Sequence, residues 1–404
     1  MKAVVWNGVG DIGLEDVKEP KIEEPTDAIV RLTASAICGT DLHFVRGTVT
    51  EMKPGTILGH EGIGIVEEVG KQVRNFQPGD RVVIPSTIAC GYCSYCRAGY
   101  YAQCDNANPK GEGTAFFGGP ESSGPFDGLQ AEFARVPFAN VGLVRIPEAV
   151  SDEQAILLSD IFTTGWFGAS LAEIVDGDPV AVFGCGPVGQ FAIASAMLRG
   201  AGRVFAIDAI PSRLEMAKSQ GAETIDFNAE DPVETLKELT GKIGPNRVID
   251  AVGVDAETAT KGPAAKNDKK AKKQKKEFRE ERDRVAPEKH PEGHNWIPGR
   301  APSQALKWAV ESVAKAGTIS IIGVYAEDSQ FPIGKAMEKN LTVKAGNCNH
   351  RRYIPKLLDL VRSGQFDPSK VLTNKVALGD ALEAYRSFDA REDGWIKVEL
   401  MPAA

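Results

Sequence analysis

A chain of 404 residues has room for two or three domains of ordinary size, and two is the first expectation. With 42% of its residues hydrophobic and 25% charged, it has the make-up of a globular protein, which excludes a fibrous, disordered or disulfide-rich secreted chain. Its net charge of −8, from 47 basic and 55 acidic residues, offers no overall attraction to nucleic acid or an anionic membrane, and neither is expected as a partner.

In chain order, Met1 to Val17 carries Asp11, Glu15 and Asp16 and lacks the basic head and long apolar stretch of a signal peptide, so a cytoplasmic location is expected. Short β-like runs follow one another at Lys2 to Trp6, Ala28 to Leu32, Ile63 to Val69 and Arg81 to Ile84, the last entered through the turn residues Pro78, Gly79 and Asp80. From about Asp160 the texture changes. Apolar strands at Val180 to Phe183, Val204 to Ile207, Arg247 to Ala251 and Thr318 to Val324 are interleaved with helical runs at Gln190 to Leu198 and Ser212 to Ser219. That alternation predicts βαβ units around a parallel sheet. Pro179 to Leu198 is twenty residues without a charge, long enough to cross a bilayer, but Gly184, Gly186, Pro187 and Gly189 break it into a strand and a helix.

Ala256 to Arg300 interrupts this pattern. Eight lysines and one acid lie between Lys261 and Lys276, and a mixed-charge run, Glu277 to Arg284, follows. Charge blocks without apolar periodicity face water, which predicts a solvated, partly helical excursion, with a tethering or polyanion contact as the alternative. Pro302 to Ala314 then reads as a helix, and Asn340 to Ala345, Arg351 to Ser363 and Trp395 to Leu400 as strand, helix and strand.

Of the seven cysteines, Cys90, Cys93, Cys96 and Cys104 fall within fifteen residues. Four thiolates on one tight loop suit tetrahedral zinc, and an all-sulfur shell leaves no place for substrate, so such a site is structural; an iron–sulfur cluster is the lesser alternative. A run Gly184-Cys185-Gly186-Pro187-Val188-Gly189 lies between a predicted strand and a predicted helix, with Asp208 nineteen residues beyond at the end of the next strand. Strand, glycine turn, helix, strand and acid in this order form a dinucleotide fingerprint: the glycines admit the pyrophosphate and the acid accepts from the adenosine ribose. A carboxylate there would repel a 2′-phosphate, so NAD is expected rather than NADP, with Arg213 close enough to keep the other open. Cys38-Gly39-Thr40-Asp41-Leu42-His43 and Gly59-His60-Glu61-Gly62 supply one thiolate and one imidazole, good zinc ligands, but two ligands do not make a site. Cys185 and Cys348 have no evident adjacent base and read as packing residues.

Together these motifs resemble the zinc-dependent medium-chain alcohol dehydrogenases, in particular the formaldehyde dehydrogenase-like branch, across nearly the whole chain except Ala256 to Arg300. The resemblance implies an α/β protein with a Rossmann doubly wound sheet domain at 161–326 and a β-rich GroES-like catalytic domain at 1–160 and 327–404. It implies Cys38, His60 and Asp160, just before Thr163-Thr164-Gly165-Trp166, as ligands of a catalytic zinc, with Cys90, Cys93, Cys96 and Cys104 holding a second zinc. It implies further that Thr40 accepts the alcohol proton and that the proton continues through the cofactor's ribose to His43 and solvent; Glu61, directly after His60, reads as a group behind the ligands or as a transient ligand. Thr164 is expected against the nicotinamide, Gly323 and Val324 near its ribose, and Lys397 near the pyrophosphate. The implied reaction is NAD-dependent interconversion of an alcohol with its aldehyde or ketone. Formaldehyde is the first substrate suggested, because of His43-Phe44-Val45-Arg46-Gly47 and the aspartate ligand, and a homodimer or homotetramer is the expected assembly. A secondary-alcohol, polyol or amino-acid-hydroxyl dehydrogenase, a dismutase whose nicotinamide stays bound under the insertion, a zinc-ribbon nucleic-acid binder and a non-catalytic NAD sensor are the alternatives.

Overall fold

The computed structural model describes residues 1–108, 113–265, 269–287, 296, 298–327 and 329–402, so the charged excursion expected at 256–300 lies partly outside the described residues. The chain forms two units, one built mainly from Met1–Thr163 and Asn347–Ala404, the other from Thr164–Pro287 and Ile297–Gly346. Sixteen strands occur among the described residues: β1 (Lys2–Gly8), β2 (Asp11–Asp16), β3 (Ala28–Ile37), β4 (Thr56–Ile57), β5 (Gly62–Val69), β6 (Arg81–Ile84), β7 (Phe133–Val136), β8 (Val144–Arg145), β9 (Pro179–Phe183), β10 (Arg203–Asp208), β11 (Glu223–Asp226), β12 (Arg247–Asp250), β13 (Thr318–Ile321), β14 (Thr342–Ala345), β15 (Asn374–Ala377) and β16 (Val398–Met401).

In the first unit, β15, β16, β3, β5, β6 and β8 lie side by side, β7 pairs with β3, and β2, β1 and β4 make a separate three-stranded sheet. Long β3 is the axis of this unit because alternate residues, Ala28, Val30 and Leu32, are buried against Val66, Val82 and Ile84 in one apolar cluster. Its register with β5 matters most: Ser35 lies opposite Gly62, so the segment leaving β3 and the segment entering β5 meet at one end of the sheet.

In the second unit, six strands run parallel in the order β11-β10-β9-β12-β13-β14, the order of a doubly wound sheet. Central β9 is apolar on both faces: Val180 and Val182 join one buried cluster, and Ala181 and Phe183 the other. A strand covered on both sides by helices has to read this way. The predicted α/β class, a doubly wound parallel sheet beside a β-rich part, is thus what the chain folds into. Residues 327–346, grouped with the β-rich part on sequence, run with the parallel sheet because β14 pairs with β13 from Thr318↔Thr342 to Ile321↔Ala345. Pro179 to Leu198 resolves into β9 and the helix Pro187–Leu198, and among the described residues no helix is long and apolar enough to cross a membrane.

Within the excursion a helix covers Lys269–Val285. It is not wholly solvated: Phe278, Glu281 and Val285 are buried, the Ser303 hydroxyl donates to Glu281 Oε2 at 2.7 Å, and the Lys307 ammonium lies 4.2 Å from the centre of the Phe278 ring. The spacing i, i+3, i+7 is an anchoring stripe whose middle member is charged, which is why no apolar period is visible in the sequence.

Candidate active site

Three segments deliver the expected ligands. Cys38 follows β3 and precedes the helix Gly39–Val45, His60 lies between β4 and β5, and Asp160 separates the helices Asp152–Ser159 and Ile161–Leu171. The pairing of β3 with β5 brings the first two together. Ser159 places the third, because its hydroxyl donates to Ile84 O and accepts from Gly62 N at 3.0 Å, which ties the helix end to β6 and β5. The result is a cluster in which one ligand atom each of Cys38, His60, Glu61 and Asp160 lies within 4.8 Å of the others, all four residues buried. His60 Nε2 is 3.2 Å from Asp160 Oδ2, and Cys38 Sγ is 3.6 Å from the same oxygen, 122 residues along the chain. In a tetrahedral zinc shell with ordinary Zn–N, Zn–O and Zn–S lengths, ligand atoms stand about 3.3–3.8 Å apart. His60 Nε2 is also buried without a hydrogen bond, its lone pair left for another partner. Thiolate, imidazole and carboxylate together carry two negative charges, the complement of Zn²⁺. The donor set, its spacing and its unspent nitrogen fit zinc.

The surroundings complete this centre. The Cys38 N–H donates to Asp41 Oδ2 at 2.9 Å, and Asp41 Oδ1 lies 3.1 Å from His60 Nδ1. Gln130 Nε2 donates to Asp41 Oδ2 at 3.2 Å and the Tyr385 hydroxyl to Gln130 Oε1 at 2.8 Å, a wholly buried chain behind His60. His350 Nε2 is 2.8 Å from Asp160 Oδ1. Burial alone would push the Asp160 carboxyl up, but the hydrogen bond with His350 and the nearby His60 ring outweigh it and hold it well below the usual carboxylate range. His60 is the converse: burial disfavours its cation, and the nearby Asp41 and Asp160 carboxylates nonetheless hold it well above its ordinary value. The Cys38 thiol is pushed up by burial and by the Asp160 charge.

Glu61 is fully buried, and burial raises its carboxyl to about 7 against the lowering effect of Lys397. Here the sequence expectation for Lys397 needs correcting. Its side chain is 0% exposed, and its ammonium donates to Glu61 Oε1 at 2.6 Å and to Ile37 O at 3.0 Å, so it is the buried counter-ion of Glu61 and not a surface lysine awaiting a pyrophosphate. Thr40 Oγ1 lies 3.9 Å from Cys38 Sγ, beside the ligand as expected. His43 is buried, with Nδ1 2.9 Å from Thr48 Oγ1, so within this unit its ring faces a hydroxyl and not open water. Arg46, at the end of the helix that carries Thr40 and His43, is pinned by Asp389 Oδ1 at 2.5 Å.

Cys90, Cys93, Cys96 and Cys104 also converge, their sulfurs within 4.8 Å of one another. Amide N–H groups point at these sulfurs: Tyr92 and Cys93 donate to Cys90 Sγ at 3.4 and 3.3 Å, Cys96 to Cys93 Sγ at 3.4 Å, and Cys90 to Cys104 Sγ at 3.2 Å. Such donors favour thiolate. At Cys93, partial burial works the other way, yet the donors bring the thiol down to about 7.

In the second unit, the glycine run occupies the turn from β9 into the helix Pro187–Leu198, with Gly186 at the N-cap and Pro187 and Val188 in the first turn. Gly184 has φ +88°, and a Cβ on Gly189 would stand 1.9 Å from Gly184 O, so neither position admits a side chain. Asp208 ends β10; its Oδ2 accepts from Cys185 N at 2.8 Å and its Oδ1 from Ala209 and Ile210 N at 2.7 and 3.0 Å. It therefore braces the turn as well as standing where the ribose acceptor was expected. The Arg213 guanidinium lies beside Gly186, 3.6 Å from where a Cβ would be. Gly323 N donates to Asp250 O at 3.0 Å, and Val254 N to Val324 O at 2.9 Å, placing Gly323 and Val324 beside the end of β12. Glycine turn, Asp208, Gly323 and Val324 all lie at the carboxyl edge of the sheet, where such folds take nucleotides. Thr164 sits on the helix Ile161–Leu171. The sequence reading missed His350, Asp41's link to His60, and Gln130 with Tyr385. Only His350, one of five histidines and two residues past Cys348, left a trace that composition could have raised.

Comparison with known proteins assigns the chemistry. Residues 24–148 match the alcohol dehydrogenase GroES-like domain and residues 187–262 the zinc-binding dehydrogenase domain. The chain is thus a zinc-dependent alcohol dehydrogenase-like oxidoreductase. A Bacillus subtilis protein described as uncharacterized zinc-type alcohol dehydrogenase-like protein AdhB is 38% identical over 407 residues, covering 100% of both chains. The solved structure of alcohol dehydrogenase TADH from Thermus sp. ATN1 superimposes with a TM-score of 0.80 and 34% identity, again covering 100% of both. The glutathione-independent formaldehyde dehydrogenase of Pseudomonas aeruginosa is 31% identical over 96% of this chain and 95% of its own. The protein belongs to the zinc-type medium-chain alcohol dehydrogenase family.

Proposed function

We propose that this chain interconverts an alcohol and its aldehyde or ketone with NAD as the hydride partner, at a zinc held by Cys38, His60 and Asp160. The observation that carries the proposal is the convergence of these three side chains at separations of 3.2 and 3.6 Å about Asp160 Oδ2. Zinc bound there supplies a Lewis acid that acidifies an alcohol hydroxyl or polarises a carbonyl. The residues do the rest: three ligands leave one position for substrate, and the Thr40 hydroxyl beside Cys38 accepts the alcohol proton, with the buried His43, which meets Thr48, as the later member of the relay in this reading. Glu61, neutralised by Lys397, sits behind the ligands. Cys90, Cys93, Cys96 and Cys104 hold a second, structural zinc. The carboxyl edge around Gly184, Gly186, Gly189 and Asp208 takes the dinucleotide, and the Asp208 carboxylate favours NAD over NADP.

Within this class a formaldehyde-type substrate is favoured, supported by the likeness to the Pseudomonas enzyme and by the aspartate ligand. A larger alcohol is the second reading, supported by the Thermus alcohol dehydrogenase. Two copies paired along β14 are the assembly we favour: this strand edges the parallel sheet, and Val343 on it, with Ile333 and Met337 on the preceding helix, is exposed. The test is zinc analysis combined with NADH absorbance on formaldehyde, with and without glutathione, and on a panel of primary and secondary alcohols. Two zinc ions per chain and turnover abolished in Asp160→Ala are expected. Full turnover after complete zinc removal would overturn the proposal.

A further inference from the structure

The helix His350–Arg362 begins with a pair of buried polar residues that the mechanism above does not use. Asn349 occupies the position before the first turn, where an asparagine side chain ordinarily accepts from its own helix's free N–H groups. It makes no such cap. Its Oδ1 instead accepts the N–H of Ala102 at 2.9 Å, two residues before Cys104. The next residue, His350, is engaged at both ring nitrogens: Nε2 lies 2.8 Å from Asp160 Oδ1, and Nδ1 lies 3.1 Å from Thr87 Oγ1, three residues before Cys90. The four-cysteine lobe thus grips this dipeptide from its leading flank, through Thr87, and from its trailing flank, through Ala102.

We propose that His350 is the positioning residue of Asp160, and that Asn349 couples this position to the four-cysteine lobe. An imidazole fixed at both nitrogens cannot rotate, so with Nε2–H donated to Oδ1 the carboxylate presents Oδ2 alone to Cys38 Sγ and His60 Nε2. The aspartate is thereby committed to one-oxygen ligation, and the fourth place at the centre stays free for substrate. A helix-capping oxygen given away to the lobe is the sign that the lobe's position matters to this helix. Integrity of the four-cysteine site then sets the stiffness of a ligand at the other site, through two side chains and no metal-to-metal contact.

This inference rests on the proposed zinc centre, and the experiment separates the two. Zinc-loaded protein is mixed with excess EDTA, and the release of each zinc is timed, with cobalt substitution at the Cys38 centre giving a visible spectrum that labels its phase. His350→Ala is expected to speed metal loss from the Cys38 centre by about 10–100-fold and to shift the cobalt bands, as loss of such an outer partner does. His350→Gln, which keeps a donor, should recover part of that loss. Asn349→Ala, with all ligands and His350 intact, should speed the same phase by about 2–10-fold, the worth of one hydrogen bond, and leave the melting temperature little changed. An unchanged release rate in His350→Ala, or a His350→Gln rate no slower than that of His350→Ala, overturns the positioning role, and an unchanged rate in Asn349→Ala overturns the coupling. A wild-type chain that binds metal only at its four cysteines would defeat the proposed function itself, and that appears before any variant is made.

Discussion

The two cysteine-bearing centres differ in how they are made. Cys90, Cys93, Cys96 and Cys104 come from one short loop, and their sulfurs are held by amides of that same loop. Cys38, His60 and Asp160 come from three segments: Asp41, three residues past Cys38, supports both Cys38 and the distant His60, and His350, 190 residues away, supports Asp160. A local centre carries its own support, whereas a dispersed one borrows support from the fold. The first can be stable and closed; the second can be open, because its rigidity comes from outside the ligand shell.

Breaking each centre in turn should show this asymmetry most strongly. Asp160→Ala is expected to lower turnover by at least about a thousandfold, roughly 4 kcal/mol of transition-state stabilisation, and to leave one zinc per chain by metal analysis. Cys104→Ser should also leave one zinc, but with its main effect on thermal unfolding. Next in size is the buried pair behind the open centre. Lys397→Met strands the Glu61 carboxylate and should cost about 3–5 kcal/mol by chemical denaturation, and adding Glu61→Gln should return much of it.

A milder probe is thiol labelling of the metal-free protein, followed by mass spectrometry. Cys93 is half-buried with a thiol lowered to about 7, so its thiolate form dominates above that pH; iodoacetamide labelling should level off there and fall about tenfold per pH unit below it. Cys38, buried and pushed up, should stay unlabelled across the same range. The smallest effect expected is that of Tyr385→Phe. It removes one hydroxyl from the chain behind His60, leaves Gln130 Oε1 without that donor, and should cost about 1–2 kcal/mol in stability with both zinc ions retained.

The same asymmetry explains what could be read in advance. The four-cysteine spacing and the glycine turn between strand and helix are local patterns, and both stand where the sequence puts them. Cys38 and His60 could be proposed as ligands, but two donors fix nothing, and Asp160 entered only through likeness to a family. Gln130 and Tyr385 were illegible, and His350 left only a compositional trace, because a single buried polar residue has no period; its meaning lies in a partner 190 or 255 residues away. Lys397 was misread for the same reason, since a lysine two residues after a tryptophan gives no sign that its ammonium is enclosed. In the charged excursion, Glu281 sits between Phe278 and Val285 and hides an anchoring face inside a run of ions.

The ion pair of Glu61 with Lys397 spans 336 residues. At about 5–20 residues per second, a ribosome takes on the order of 20–70 s to deliver the lysine after the glutamate. During that interval the β3–β5 portion emerges with a carboxylate that has no counter-charge to be buried with. The Glu61–Lys397 pair can therefore close only once β16 has emerged, whereas the sulfurs of the four-cysteine loop can converge as soon as its own fifteen residues have left the tunnel.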